Sequence, residues 1–230
     1  MSMGTAITTP PIITTNTIMP EGAPELALMQ WLSPGFPTGA FAYSHGLEQA
    51  VALGDVHDPD SLALWLGAVL AHGTGWSDAV LLGCALRGED LDALDDLARA
   101  LAGSAERLSE SAEQGAAFAR AQSGLRGVEQ RARMMPLAVA EAARDLDLPS
   151  PRIIALFLHS FAANLVFAAV RLVPLGQVAG QKVLAGLHPQ ITEIAQRAAA
   201  AGRDDIATSA YRAEIAAMQH ETLDVRLFKT

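Results

Sequence analysis

The sequence predicts an all-α protein, a single-domain bundle of about ten helices around one central apolar helix. Three observations carry that prediction. Alanine and leucine dominate while aromatic residues make up only 5% of the chain, a composition that favours helices over strands. Apolar residues recur at helical spacing nearly throughout. No stretch alternates strictly enough, or holds enough β-branched residues, to form a strand. Half of the 230 residues are apolar, which is enough to bury a core and argues against disorder.

Taken in order, residues 1–23 begin "MSMGTAITTPPIITTNTIMP". They lack a positively charged start and are broken by adjacent prolines, so they are expected to be a flexible tail and not a signal peptide. One all-α domain should fill 24–219, with no composition shift and no fixed repeat inside it. Helices are expected over 25–32 and 41–53. Asp58-Pro59 opens the next, since Asp caps and Pro at the first position has no N–H to leave unpaired. Leu62, Trp65, Leu66 and Val69 then share one face. A helix over 77–87 follows, and then one begun by Asp90, striped by Leu94, Leu97 and Leu101 and closed by Gly103. Two more are expected over 104–122 and 136–146. Ser150-Pro151 starts the central apolar helix, which Pro174 should end. The last helices are expected over 177–187, 190–201 and 205–219, with 220–230 left as a C-terminal docking tail.

Charge and cysteine usage narrow the function. The 16 basic and 25 acidic residues leave a net charge of −9, so nucleic acid is not an expected partner. No lysine or arginine precedes Arg87, whereas Glu21, Glu25, Glu48, Asp55, Asp58, Asp60 and Asp78 all do. That acidic third also holds His45, His57 and His72, and it suits a cation or a basic protein surface as well as plain solubility. The single cysteine, Cys84, excludes an internal disulfide and a Cys-x-x-Cys zinc pair, which fits a reducing compartment. Ile153–Val170 is long and apolar enough to cross a membrane. His159, Ser160 and Asn164 at its centre favour a buried core helix instead, and no membrane association is expected.

Three stretches carry candidate chemistry. In "SPGFPTGAFAYSHGLEQAV" (Ser33–Val51), Ser44 and His45 are neighbours, and neighbours on a helix point about 100° apart, so they make a poor nucleophile–base pair. No Gly-x-Ser-x-Gly elbow occurs. His45 and Glu48 at i, i+3 could share a helix face, which keeps open a helical metal-dependent hydrolase built on them. The six histidines are otherwise scattered without ligand spacing. No catalytic, metal or cofactor residue is assigned. In "NLVFAAVRLVPLGQVAGQKVL" (Asn164–Leu184), Arg171, Pro174, Leu175 and Gly176 form an interhelix turn. Gln177 and Gln181 beyond it are one helical turn apart and suit a polar lining or an interface. In "HETLDVRLFKT" (His220–Thr230), Leu223, Val225, Leu227 and Phe228 make the tail apolar enough to dock on this domain or a partner. Burying Phe228 alone is worth about 1.5–3 kcal/mol.

In order and spacing, these three stretches resemble the urease accessory protein F family, and the likeness runs from about Leu26 to the end. The resemblance implies an all-α cytoplasmic protein without catalysis of its own and without a cofactor. It implies a homodimer that joins accessory protein D (H in some organisms) and the GTPase accessory protein G on apo-urease. There it would couple GTP hydrolysis to nickel delivery, with an internal ion passage conceivable. Carried over by residue, Arg226, Leu227 and Phe228, with His220 and Glu221 at the start of the tail, would dock on the D-type partner. Pro37, Gly39, Phe41, Tyr43, His45 and Glu48, together with Arg171, Pro174, Leu175, Gly176, Gln177 and Gln181, would form dimer or partner surfaces. His45, Gln177 and Gln181 are candidates for lining an ion path.

Overall fold

The computed structural model describes residues 23–230. The tail expected over 1–23 lies outside the described residues except for Ala23, which opens the first helix. Eleven α-helices follow: α1 (Ala23–Trp31), α2 (Leu47–Ala52), α3 (Pro59–His72), α4 (Thr74–Leu86), α5 (Leu91–Ala100), α6 (Ala105–Arg126), α7 (Met135–Ala143), α8 (Ser150–Leu172), α9 (Gln177–Gly186), α10 (His188–Ala200) and α11 (Tyr211–His220). Among the described residues there is no strand, so the all-α expectation holds.

The helix starts follow from their capping residues. Asp58 Oδ1 accepts from the Ser61 amide at 2.8 Å, and Ser61 Oγ accepts from the Asp58 amide at 3.0 Å, a reciprocal cap ahead of α3. Asp90 accepts from the Ala93 amide at 2.8 Å, and Ser104 Oγ from the Arg107 amide at 3.1 Å, opening α5 and α6. α8 ends at Leu172, before Pro174, with Val173 extended.

The apolar helix α8 is central, and α4 is buried beside it. α8 packs against α1, α2, α3, α4, α9 and α10, and α4 packs against α3, α5, α7, α8 and α10. Ten residues of α4, from Gly75 to Ala85, are buried. A Cβ on Gly83 would stand 2.7 Å from the Ala198 carbonyl oxygen, so glycine there lets α4 approach α10 closely. Only half of the most apolar 18-residue window of α8 is buried, and α8 is the one described helix long and apolar enough to span a bilayer.

Two expected helices are shorter than the sequence suggests. The helix expected over 41–53 is a 3-10 turn at Ala40–Ala42, an extended Tyr43, two left-handed residues (His45, φ 57°; Gly46, φ 74°) and then α2. The physical reason is that this backbone pairs with the C-terminal segment: the Lys229 amide donates to Ala42 O (2.8 Å) and the Ser44 amide to Thr230 O (2.8 Å). The helix expected over 205–219 begins only at Tyr211, after a 3-10 turn at Arg203–Asp205. There the Ser209 and Ala210 amides both donate to His72 O at the end of α3, at 2.7 and 3.0 Å, and so are not free for a helix.

Candidate functional site

The site forms where the 41–48 segment and the C-terminal segment meet α6. Glu106, Glu110 and Glu113 lie on α6 at spacings of four and three, and so along one face. Each receives groups from one or both of the other two segments. Glu106 accepts from Arg226 (2.7 Å) and faces His220 Nδ1 (2.8 Å). Glu110 faces His45 Nδ1 at 3.0 Å. Glu113 accepts from Tyr43 Oη (2.5 Å) and Lys229 Nζ (2.9 Å).

A second anchor is Glu48 on α2. Its carboxylate accepts from the backbone amides of Leu227 (2.8 Å) and Phe228 (3.1 Å) and faces His220 Nε2 at 3.2 Å. Ser44 Oγ donates to Thr230 O, and the His45 amide donates to Thr230 Oγ1 at 3.3 Å. Phe228 is buried with the Arg171 guanidinium 4.4 Å from its ring centroid. Arg171 in turn donates to Phe41 O at 3.4 Å. The C-terminal segment is thus seated on its own domain by backbone, ionic and apolar contacts together.

Behind this seat a buried polar chain enters the bundle. His45 Nε2 pairs with Thr74 Oγ1 (2.6 Å), and its ring packs edge-on to Phe161. Arg107 lies 3.9 Å from Glu110 and donates to Asp78 at 2.5 Å. Burial pushes the Asp78 carboxyl above its usual range despite Arg107. Burial also works against the Arg107 charge, but Asp78 and Glu110 more than offset it and hold the guanidinium above its ordinary value. For Glu110 burial is again opposed, here by His45 and Arg107, and the carboxyl is held low. At the rim, hydrogen bonds from Tyr43, Lys229 and Ser109 bring Glu113 down to about 2. Burial and then Glu113 raise the Tyr43 phenol beyond its ordinary range.

Three neighbouring cavities share these residues. One of about 210 Å³ is lined by Phe41, Arg171, Gln114, Ser160 and Asn164. The next, about 40 Å³, shares Gln114, Ser160 and Asn164 and adds Tyr43, Glu110 and Arg107. The third, about 90 Å³, shares Arg107 and Asp78 and adds His45, Thr74 and Ser77. Ser77 Oγ is buried without a hydrogen-bond partner. Among the described residues no three His, Cys, Asp or Glu side chains converge as metal ligands.

The sequence-selected residues separate into groups. Tyr43, His45, Glu48, His220 and Phe228 face inward and are buried. Phe41, Arg171, Arg226 and Leu227 are exposed around them, and Phe41 and Leu227 stand 75% and 65% exposed. Glu221 is exposed and accepts from the Ala105 amide at the start of α6 (2.9 Å). Pro37 is exposed and Gly39 half-buried. Pro174 and Gly176 are exposed and Leu175 half-buried in the α8–α9 turn. Gln177 and Gln181 are exposed on α9 and line none of the three cavities. His45 and Glu48 do not share a helix face: they serve different networks, and His45 precedes the helix altogether. Sequence reasoning missed Asp78, Arg107 and the three α6 glutamates; the four-and-three spacing of those glutamates was the available signal.

Comparison with known proteins gives concordant matches. Residues 56–188 match the family model described as UreF. The chain is 58% identical to the urease accessory protein UreF of Cereibacter sphaeroides strain KD131, over 89% of this chain and 98% of that protein. It is 50% identical to the Paracoccus denitrificans protein of the same name, over 94% and 100% of the two chains. For the Roseobacter denitrificans protein of that name the identity is 48%, over 89% and 93%.

Proposed function

This chain belongs to the UreF family of urease accessory proteins, and on that premise we propose that it is a non-catalytic scaffold for urease maturation. It bridges accessory protein D (or H) and the GTPase accessory protein G on apo-urease, so that GTP-dependent nickel delivery completes the urease active site. It works in the cytoplasm, as a homodimer, and nickel is its cargo and not a resident cofactor.

The observation that carries this reading is the composite surface made by the docked C-terminal segment. Phe41 and Leu227 project outward beside Arg171 and Arg226, while beneath them Glu48 holds the backbone and the α6 glutamates hold side chains. Large apolar side chains flanked by guanidinium groups, on a seated platform, suit a protein partner. The cavities that run from Phe41 and Arg171 to His45 have mostly apolar walls set with a few oxygen and nitrogen groups, without three converging ligands. Such a lining suits an ion in passage better than an ion held.

Deleting residues 220–230 tests the reading. The truncated chain should lose co-purification with the D-type partner while remaining helical by circular dichroism. Full-affinity binding of D by the truncated chain would overturn the tail's role. The hydrolase alternative gains nothing from the geometry, because Glu48 is fully engaged by two backbone amides and His220.

A further inference from the structure

His159 lies near the middle of α8, and His188 is the first residue of α10. Their ring centroids are 5.3 Å apart, with the ring planes tilted by 47°. His159 is half-buried and His188 is exposed. Among the described residues neither imidazole has a hydrogen-bond or ion-pair partner, unlike the buried rings of His45 and His220. The pair lies apart from the site described above: none of its three cavities is lined by either residue.

We propose that His159 and His188 together form a two-imidazole site for a divalent transition-metal ion, with water completing the coordination. The spacing is that of a chelating pair. Two rings bound to one ion through nitrogen–metal bonds of about 2.0–2.1 Å, at right-angled to tetrahedral openings, have centroids roughly 4.6–5.3 Å apart. The observed separation falls at the tetrahedral end. Imidazole nitrogens select the nickel, copper and zinc end of the first-row series over magnesium or calcium.

The two ligands come from elements already fixed. α10 packs along α8, and Gln190 donates to Gly67 O at 3.0 Å, pinning the first turn of α10 against α3. Leu158, Leu187 and Ile191, beside the two histidines in sequence, are buried in the core. An ion bound there ties the surface helix to the central one without any rearrangement of the fold. Two protein ligands make the site exchangeable, since three or four are the rule for retained zinc.

The test is calorimetric titration of the full chain with Ni²⁺ alone, and separately with Zn²⁺ and Mg²⁺. The intact protein should take up one Ni²⁺ or Zn²⁺ per chain and no Mg²⁺. His188→Ala, an exposed substitution, should weaken uptake roughly ten-fold or more, because the second bond is then no longer intramolecular. His159→Gln should do the same, whereas His57→Ala, at an exposed ring beside Asp58, should leave affinity unchanged. Bound Ni²⁺ should also raise the melting temperature of the intact protein but not of His188→Ala. No saturable uptake by the intact protein up to about 1 mM ion would overturn the proposal, and so would unchanged affinity in a folded His188→Ala. A simple ring stack predicts that outcome. Binding of the D-type partner by the same variants should be unaffected, so failure here leaves the maturation reading standing.

Discussion

The Glu113 carboxylate accepts from Tyr43, Ser109 and Lys229 at once, which brings it from an ordinary 4.5 to about 2. Because the folded value lies below the unfolded one, its contribution is complete above about pH 4.5. It is lost as pH falls toward 2. Glu113 is half-exposed, so the effect is local seating of the C-terminal segment and not a large share of global stability. Hydrogen exchange at the Leu227, Phe228 and Lys229 amides should therefore accelerate, relative to the core helices, between pH 4.5 and pH 2. Glu113→Gln should flatten that dependence, and an unchanged pH profile in this variant would remove Glu113 from the role. At this scale the sequence singled out Tyr43, His45 and Glu48 because aromatic and titratable groups stand out in a turn-rich stretch. It did not reveal Glu113, Glu110 or Glu106. Their value depends on groups such as Lys229, 116 residues away, and no local pattern encodes that distance.

The element that departs most from its sequence pattern is 41–53. Its apolar spacing suits a helix, yet its backbone runs extended and then left-handed before α2 begins. Gly46 shows why tertiary contacts overrode local preference. It sits at φ 74°, and a Cβ there would come within 2.7 Å of the Ala217 amide nitrogen on α11. Gly46→Ala should cost about 1–3 kcal/mol by urea unfolding, through combined backbone strain and a clash with packed backbone. Gly39→Ala shares the left-handed φ of 75° but meets open space, so it should cost no more than roughly 1 kcal/mol. Equal costs would show that the α2–α11 approach is not what demands glycine at 46. By contrast α3, α5, α6 and α8 were legible because their caps, Asp58, Asp90 and Ser104, and the Ser150-Pro151 pair are local signals read within one turn.

For the whole molecule, the sequence made α8 conspicuous by length, but it gave no comparable prominence to α4. α4 is shorter and is interrupted by Ser77 and Asp78, so its deep burial follows from what surrounds it. Asp78 lies in that helix and ends the buried polar chain from His45, which ties the core to the site. The exposed apolar residues Phe167 on α8 and Val178 on α9 flank the α8–α9 turn, and Phe41, whose carbonyl accepts from Arg171 of α8, is exposed as well. If that face serves self-association, as the family resemblance implies, the chain alone should elute at twice its 24.1 kDa mass, and Val178→Glu should halve it. A monomeric wild-type chain at micromolar concentration would exclude the homodimer.

The α6 glutamates and the segment they hold are separated by an interval of synthesis as well as of space. Glu106 precedes His220 by 114 residues, which at ribosomal rates of about 5–20 residues per second is on the order of ten seconds. Throughout that interval α6 presents its carboxylates without the cations contributed by residues 220–230. Until residues 220–230 are made, Glu106 lacks His220 and Arg226, and Glu113 lacks Lys229. Display of Phe41 and Leu227 as one surface waits on the last translated of its parts, so the composite surface forms only after residues 220–230 have been made.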